Sequence, residues 1–312
     1  MRAIIILLSL LFPRDTLSVM FWNVENFFDW RNDSTTVSDE EFTARGERHW
    51  TWNRFQAKAN SFAKAIFWIE EETGRLPDIV GLEEVENAFV LRQLLQKTAL
   101  RKTDYRYVHY DSPDRRGIDV ALLYRSSVLE LLDSKPCHLY DADTVMATRD
   151  ILLCMFKRNE ETFAVLVNHH PSKYGGAAES EPRRRIAVER LQILADSLAN
   201  VGIDRIIAGG DFNDTPDNPV FRFLEPTLVP LHRDLYHHGQ GTIKYDGKWD
   251  LIDHIYVSPA LWEENPSMRI LRIPFLLIRD NVHSGEKPLR TYTGPRHTAG
   301  VSDHLPILLV IP

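Results

Sequence analysis

Six times along this 312-residue chain an acid, an amide or a histidine stands at the margin of an apolar run of strand length. The central instance is Ile206-Ile207-Ala208-Gly209-Gly210-Asp211-Phe212-Asn213-Asp214-Thr215-Pro216. The run stops at two glycines, which leave room for a close approach to the backbone. Asp211 and Asn213 follow at alternate positions, so on an extended chain they point the same way while Phe212 packs behind them. Alone, these residues would equally suit a strand end and a polar turn. The other five segments make a shared site the stronger reading.

Composition sets the frame for that site. Hydrophobic residues make up 44% of the chain, enough for a packed core, and no Gly/Ser or Pro-rich linker divides it. The net charge of -7 argues against a protein that coats nucleic acid, because such binding needs a basic face to neutralise phosphates. It does not exclude an enzyme that grips a few phosphates through a local cluster and a metal ion. Cys137 and Cys154 are the only thiols, too few for a disulfide framework or a zinc-thiolate site, although a single bridge stays open in an oxidising compartment.

At the N-terminus, Arg2 precedes an apolar run from Ala3 to Phe12, and Pro13 follows. The run is too short for a membrane anchor and suits the apolar part of a signal peptide; the alternative is a buried first strand. A more typical strand, Leu17 to Trp22, begins just downstream. The expected organisation is therefore a leader over 1–16 and one catalytic domain over 17–312, with a periplasmic or secreted product. Without export it would be cytoplasmic. No stable membrane insertion and no protein partner are inferred, and a monomer is the default.

Taken in order, the first strand runs into Asn23-Val24-Glu25-Asn26, and segment 31–48 reads as a loop. Phe55, Ala59, Phe62, Ile66 and Ile69 predict a helix from Trp50, stopped by Gly74 and Pro77. The next apolar strand ends in Glu83-Glu84; since adjacent strand residues face opposite sides, only one of these acids is expected in a cleft. A helix over Phe89 to Leu100, a strand from Tyr105, a turn at 112–117 and a strand to Tyr124 follow. Arg115 and Arg116 on that turn read as solvated charges, with phosphate contact by Arg116 as the alternative.

The strand Phe163 to Asn168 leads to His169-His170; if Phe163, Val165 and Val167 share a face, His169 continues it. Pro182 is expected to open a helix with Arg183, Arg184 and Arg185 in its first turn. Basic residues there oppose the helix dipole, so a phosphate, or pairing with Glu179, Glu181 and Glu189, should hold them. Asp253 within an apolar strand is costly unless paired or ligating, and His254 faces the other way. His232, His237, His238 and His283 show no ligand spacing and read as loop residues.

The segments Trp22-Asn23-Val24-Glu25-Asn26, Leu82-Glu83-Glu84-Val85, Val167-Asn168-His169, Gly210-Asp211-Phe212-Asn213, Ile252-Asp253-His254-Ile255 and Ser302-Asp303-His304-Leu305-Pro306 occur in that order. In kind and order they resemble the endonuclease/exonuclease/phosphatase superfamily, the metal-dependent phosphoesterases that include deoxyribonuclease I, apurinic-site endonucleases, sphingomyelinases and inositol-polyphosphate phosphatases. The resemblance spans the chain from first strand to last. It implies an α/β fold, a four-layer α/β/β/α sandwich of two face-to-face β-sheets flanked by helices, which the alternation of strands and amphipathic helices also suits.

By the same resemblance Glu84 is the principal Mg²⁺ ligand, helped by Asn23 and by Asp303 directly or through water, and Mn²⁺ can substitute. Glu83 stands where the family commonly has glutamine and is not taken as a ligand. Mg²⁺ prefers oxygen donors and keeps several waters, so few carboxylates suffice. His304 oriented by Asp253 resembles the dyad that serves in-line attack by water. Asp211 would position or deprotonate the nucleophile or protonate the leaving oxygen, Asn213 would donate to the phosphate, and His169 would be a second phosphate-side group. The pair His169-His170 lets the register slip by one; Pro171-Ser172-Lys173 and Gly175-Gly176 resemble the branch in which the first histidine is catalytic, so His169 is taken. Arg116 and Lys173 are candidates for substrate phosphate.

The expected function is a Mg²⁺-dependent phosphoester hydrolase of the nuclease-like phosphodiesterase kind, acting on a phosphoester that includes nucleic acid among its candidates. The alternatives are a phosphomonoesterase or lipid head-group phosphoesterase, and a non-enzymatic binding protein on the same fold, which would have lost the metal acid or the Asp-His dyad.

Overall fold

The structure, a computed structural model, describes residues 16–32, 39–173, 175–225 and 227–312, so all but the last residue of the expected leader lies outside the described residues. Two six-stranded sheets carry the fold. The first runs, in spatial order, Ser267–Ile270, Ile307–Ile311, Leu17–Phe27, Ile79–Val85, Asp119–Arg125 and Tyr105–His109. The second runs Val229–Pro230, Asp253–Val257, Ile206–Asp211, Glu161–His169, Ile151–Arg158 and Glu130–Cys137.

Strand alternation sorts the apolar residues into three cores. Val19 and Phe21 of the first sheet meet Val165, Val167, Ile207 and Ile255 of the second. Met20, Trp22 and Val24 face the other way, onto Phe55, Phe62 and Ile66 of helix α1 (Trp52–Thr73) and Val90 and Leu94 of helix α2 (Ala88–Lys97). Leu166, Ala208 and Tyr256 point outward from the second sheet, beneath Leu191 and Ala195 of helix α3 (Ala177–Asn200). The result is the four-layer α/β/β/α sandwich that the resemblance implied. Helix α1 starts on the Thr51 cap and stops at Gly74, whose left-handed φ of 81° suits glycine.

Several expectations change. Gly209 makes room for packing within the protein rather than for a ligand: a Cβ at Gly209 or Gly81 would collide with the Phe21 ring, so these glycines let the sheets close. Helix α3 begins at Ala177, five residues before Pro182, so Arg183, Arg184 and Arg185 lie beyond its first turn. Arg184 is buried and pairs with Asp214 at 3.0 Å, and Arg185 lies over the Phe223 ring, in place of the glutamate pairing expected. His232 is buried against His254 with ring centroids 4.0 Å apart, so it is a core residue. Cys137 lies in the core under α3 and Cys154 between the sheets; both are free thiols. Among the described residues no helix is long and apolar enough to cross a membrane.

Candidate active site

The first sheet contributes through paired irregularities. The Leu17–Phe27 and Ile79–Val85 strands run parallel and in register up to Asn23 opposite Glu83, then slip before Phe27 meets Val85. Glu25, Asn26 and Glu84 take positive φ angles of 48°, 52° and 66° there, a conformation costing a non-glycine residue about 1–2 kcal/mol. This bulge breaks the rule that only one of Glu83 and Glu84 can serve the cleft. Glu83 follows the alternation to the floor between the sheets, beside Gly210, while the left-handed turn at Glu84 brings its carboxylate to the rim. There Asn26 N donates to Glu84 Oε2 at 2.8 Å.

The second sheet lines up three side chains by register. Asp211 lies opposite His169 on one neighbouring strand and opposite Asp253 on the other. His169 Nε2 is 3.5 Å from Asp211 Oδ2 and 3.9 Å from Glu84 Oε1. Asn23 Nδ2 crosses between the sheets to donate to Asp211 Oδ2 at 3.0 Å. Asn213 closes a loop on the same carboxylate: its backbone N donates to Oδ1 at 2.8 Å, and its Nδ2 reaches Oδ2 at 3.2 Å and His170 O at 3.0 Å. That amide, expected to face phosphate, is engaged by the protein.

His304 arrives from the segment before the last strand. Its Nδ1 is 2.9 Å from Asp253 Oδ2 and its Nε2 is 3.9 Å from Asp211 Oδ2. Ser302 Oγ donates to Asn23 O at 2.6 Å and accepts from His304 N at 2.9 Å, and Trp22 Nε1 donates to His304 O at 3.0 Å. Thr242 Oγ1 donates to the other side of the dyad, at Asp253 Oδ2. Thus Asn23, Glu84, His169, Asp211, Asn213, Asp253 and His304 form one connected cluster at the mouth of the inter-sheet space.

The family model of the endonuclease/exonuclease/phosphatase family matches residues 18–312. The chain belongs to that family. The membership makes it a phosphoesterase of a divalent-metal-dependent class. No curated protein matches the chain significantly. Among solved structures, a Bacteroides thetaiotaomicron mannosyl-6-phosphatase is similar at TM-score 0.60 and 16% identity, over 95% of this chain and 100% of that one. The human Nocturnin catalytic domain aligns at TM-score 0.59 and 17% identity, over 95% and 94%. A humanized D. rerio TDP2 aligns at 0.57 and 16%, over 95% and 99%. At such identities the likeness speaks for the fold.

Around this cluster lies a rim that joins the predicted Asp303 to residues sequence reasoning missed. Glu25 is buried, accepts from Thr291 N at 2.7 Å, and pairs with Arg290 Nη2 at 2.9 Å; the same guanidinium meets Asp303 Oδ2 at 3.0 Å. Lys58, fully enclosed on α1, donates to Glu25 O and to Thr291 Oγ1, the latter at 2.8 Å. Its signal was present: a lysine stands at helical spacing between Phe55 and Phe62, on the apolar face. Burial, aided by the charge of Asp303, pushes the Glu25 carboxyl up to about 7 despite Lys58 and Arg290, and burial brings Lys58 down to about 8.

Electrostatics divides the centre itself. Burial pushes the Asp211 carboxyl up to about 7, against the pull of His304. Burial alone would lower His304, but Asp253, Asp211 and Asp303 hold it well above its ordinary value. His169 is kept well below its own by burial and by Arg149 and Arg116.

This donor set fits a hard divalent cation. It offers the carboxylate oxygens of Glu84 and Asp303 and the amide of Asn23, without thiolates, and oxygen donors are what such an ion prefers. Among the described residues a tighter grouping of potential ligands lies elsewhere, His109 with Asp111 and Asp119. It is occupied with turn-making: Asp119 binds His109 Nε2 at 3.1 Å and Ser112 N at 2.9 Å.

The two phosphate candidates separate. Arg116 is on the rim, with Nη2 2.7 Å from Asn26 Oδ1 and 3.5 Å from Glu84 Oε2. Lys173 pairs with Asp214 Oδ1 at 2.8 Å, the carboxylate that Arg184 also holds, so it braces the turn after Asn213.

Proposed function

We propose that the protein is a Mg²⁺-dependent phosphodiesterase of the nuclease-like kind, in which water attacks phosphorus in line with the leaving oxygen. The observation that carries this reading is the continuous run Asp253–His304–Asp211–Asn23, facing Glu84 across the mouth of the two sheets. Glu84, with Asn23 and Asp303, would hold the ion. When bound, it polarises the phosphoryl oxygens and offsets the charge that builds in the transition state. Asp253 fixes the His304 ring through Nδ1 and leaves Nε2 toward Asp211 for proton exchange. Asp211, aligned by Asn23 and Asn213, positions the attacking water or the leaving oxygen. His169 and Arg116 stand on the phosphate side.

Arg116 favours one second reading. A phosphomonoester carries an extra negative charge, and an exposed guanidinium 3.5 Å from Glu84 can meet it, so monoester hydrolysis belongs to the same site. A non-enzymatic role is disfavoured because neither the metal acid nor the Asp-His dyad is eroded. TDP2 of D. rerio has been solved with a single-stranded DNA product, which supports testing nucleic acid first. The apolar N-terminal run supports export to the periplasm or outside, with 17–312 as the catalytic domain.

The test is a panel assay of purified protein with Mg²⁺ against plasmid and single-stranded DNA, RNA, nucleotides, sugar phosphates and lipid phosphodiesters. The expected result is cleavage of a nucleic acid or nucleotide diester that EDTA abolishes. Turnover of monoesters alone would replace the diesterase reading, and undiminished turnover in excess EDTA would remove the metal.

A further inference from the structure

Beside the reacting centre the molecule has a cavity of about 1090 Å³ that the catalytic cluster does not fill. It shares a wall with that cluster. Arg116, which touches Asn26 and Glu84, lines it, and so does Pro171, two residues after His169. Its floor is held by the buried Arg149, which pairs with Asp114 at 3.0 Å and donates to His170 O at 2.6 Å.

The cavity's charge runs against that of the chain. Net charge is -7 overall, yet four arginines and two aspartates line this cavity. Arg149 and Asp114 neutralise one another, which leaves Arg115, Arg116 and Arg183 against Asp141. Arg115 and Arg183 are exposed, and among the described residues their side chains have no hydrogen-bond or ion-pair partner. The same cavity has an apolar stretch in its lining. Val145, from the small hairpin of Tyr140–Asp141 and Thr144–Val145, continues into Met146 and Ala147.

Guanidinium groups without internal partners are suited to a phosphate, which they meet with charge-assisted bonds. Apolar side chains in the same cavity are suited to the face of a base. Resting on the phosphoesterase reading above, we propose that this cavity is a subsite for a nucleotide that carries a second phosphate, apart from the one hydrolysed. Arg115 and Arg183 grip that second phosphate, and Val145 and Met146 support the base. The subsite selects nucleotides with two phosphates over esters with one, and it does so through binding rather than through the chemical step. At about 1090 Å³ the cavity lies just above the roughly 300–1,000 Å³ of common ligand pockets, so it is roomy enough for a nucleoside bisphosphate.

The experiment is calorimetric titration of the full chain in EDTA, where no metal-dependent turnover interferes. The probes are thymidine 3′,5′-bisphosphate, thymidine 5′-monophosphate and an inositol bisphosphate. The bisphosphate nucleotide is expected to bind about tenfold tighter than the monophosphate, in keeping with one added charged hydrogen bond. Arg115→Gln and Arg183→Gln should each erase most of that difference, and Val145→Asp should weaken both nucleotides, while all three variants hydrolyse para-nitrophenyl esters at the wild-type rate. Equal affinity for the two nucleotides, or variants that bind like wild type, overturns the proposal. An inositol bisphosphate bound as tightly as the nucleotide overturns the base-binding half. If the bisphosphate binds as expected but no ester is hydrolysed with Mg²⁺, the subsite stands and the phosphoesterase reading falls.

Discussion

On the cleft face of the second sheet, His169 sits 3.5 Å from Asp211 and 3.9 Å from Glu84. One residue later, on the helix face, the His170 ring packs 4.4 Å from Phe212, and neither of its nitrogens has a hydrogen-bond partner. The same division separates Asp253, locked to His304, from His254, which stacks between Phe212 and His232 at 5.0 Å and 4.0 Å. Both faces are buried and both are rich in titratable groups. What differs is company: carboxylates on one side, aromatic rings on the other. His304, paired with Asp253, is held above its ordinary value and can keep and pass on a proton; His169 stays neutral beside Asp211, where it can still share a hydrogen bond, and the histidines among rings are neutral and serve as packing.

Removing one histidine from each face separates the two roles. His304→Ala should cut kcat by roughly two to four orders of magnitude, the range for losing a positioned acid or base. Circular dichroism and the melting temperature should change little by comparison. A variant that unfolds would place His304 among the packing histidines. His254→Ala should do the reverse. The cavity it leaves should cost about 2–4 kcal/mol in denaturant unfolding, by analogy with other large-to-small core changes. At a temperature where the variant remains folded, hydrolysis should stay within a few-fold of wild type.

A third, smaller effect comes from pH. Burial lowers His170 and His254 to about 3, while the unfolded chain titrates near 6.5. Folded-state values below unfolded ones mean stability that is fully present above pH 6.5 and is lost as pH falls toward 3. Between pH 6.5 and 5 each histidine should cost about 1–2 kcal/mol, read as a falling urea midpoint at constant slope. His170→Phe should flatten that decline, and an unchanged slope with pH would deny the histidine its neutral, packed role. Last and smallest, Arg116→Gln should raise KM for esters by several-fold with little change in kcat, because a half-exposed guanidinium contributes modestly.

The comparison also explains what could be read from the sequence. His169, Asp211 and Asp253 were legible because a two-residue period and a strand end are local facts, and strands in register align such ends without further information. Phe212 and His254 were placed on the opposite face by the same rule. Glu83 and Glu84 were not, since a bulge has no local signature when glutamate rather than glycine takes the left-handed conformation. Lys58 meets Thr291 across 233 positions of chain and Arg290 meets Glu25 across 265, which no spacing rule connects. His232 looked like a loop residue because only the folded chain sets it beside His254. Pro182 misplaced the start of α3, since the helix begins a turn earlier and carries the proline inside.

The proposed role of Glu84 is to anchor a divalent ion against the Asp211–His304 pair. Its most direct test is the rate of bis-para-nitrophenyl phosphate hydrolysis as a function of Mg²⁺ concentration, for wild type and Glu84→Gln. Wild-type enzyme should be silent in EDTA and restored by Mg²⁺, and the folded variant should turn over about a hundredfold or more slower at any Mg²⁺ concentration. Wild-type turnover that persists in EDTA, or a Glu84→Gln variant with the wild-type Mg²⁺ response, would contradict it.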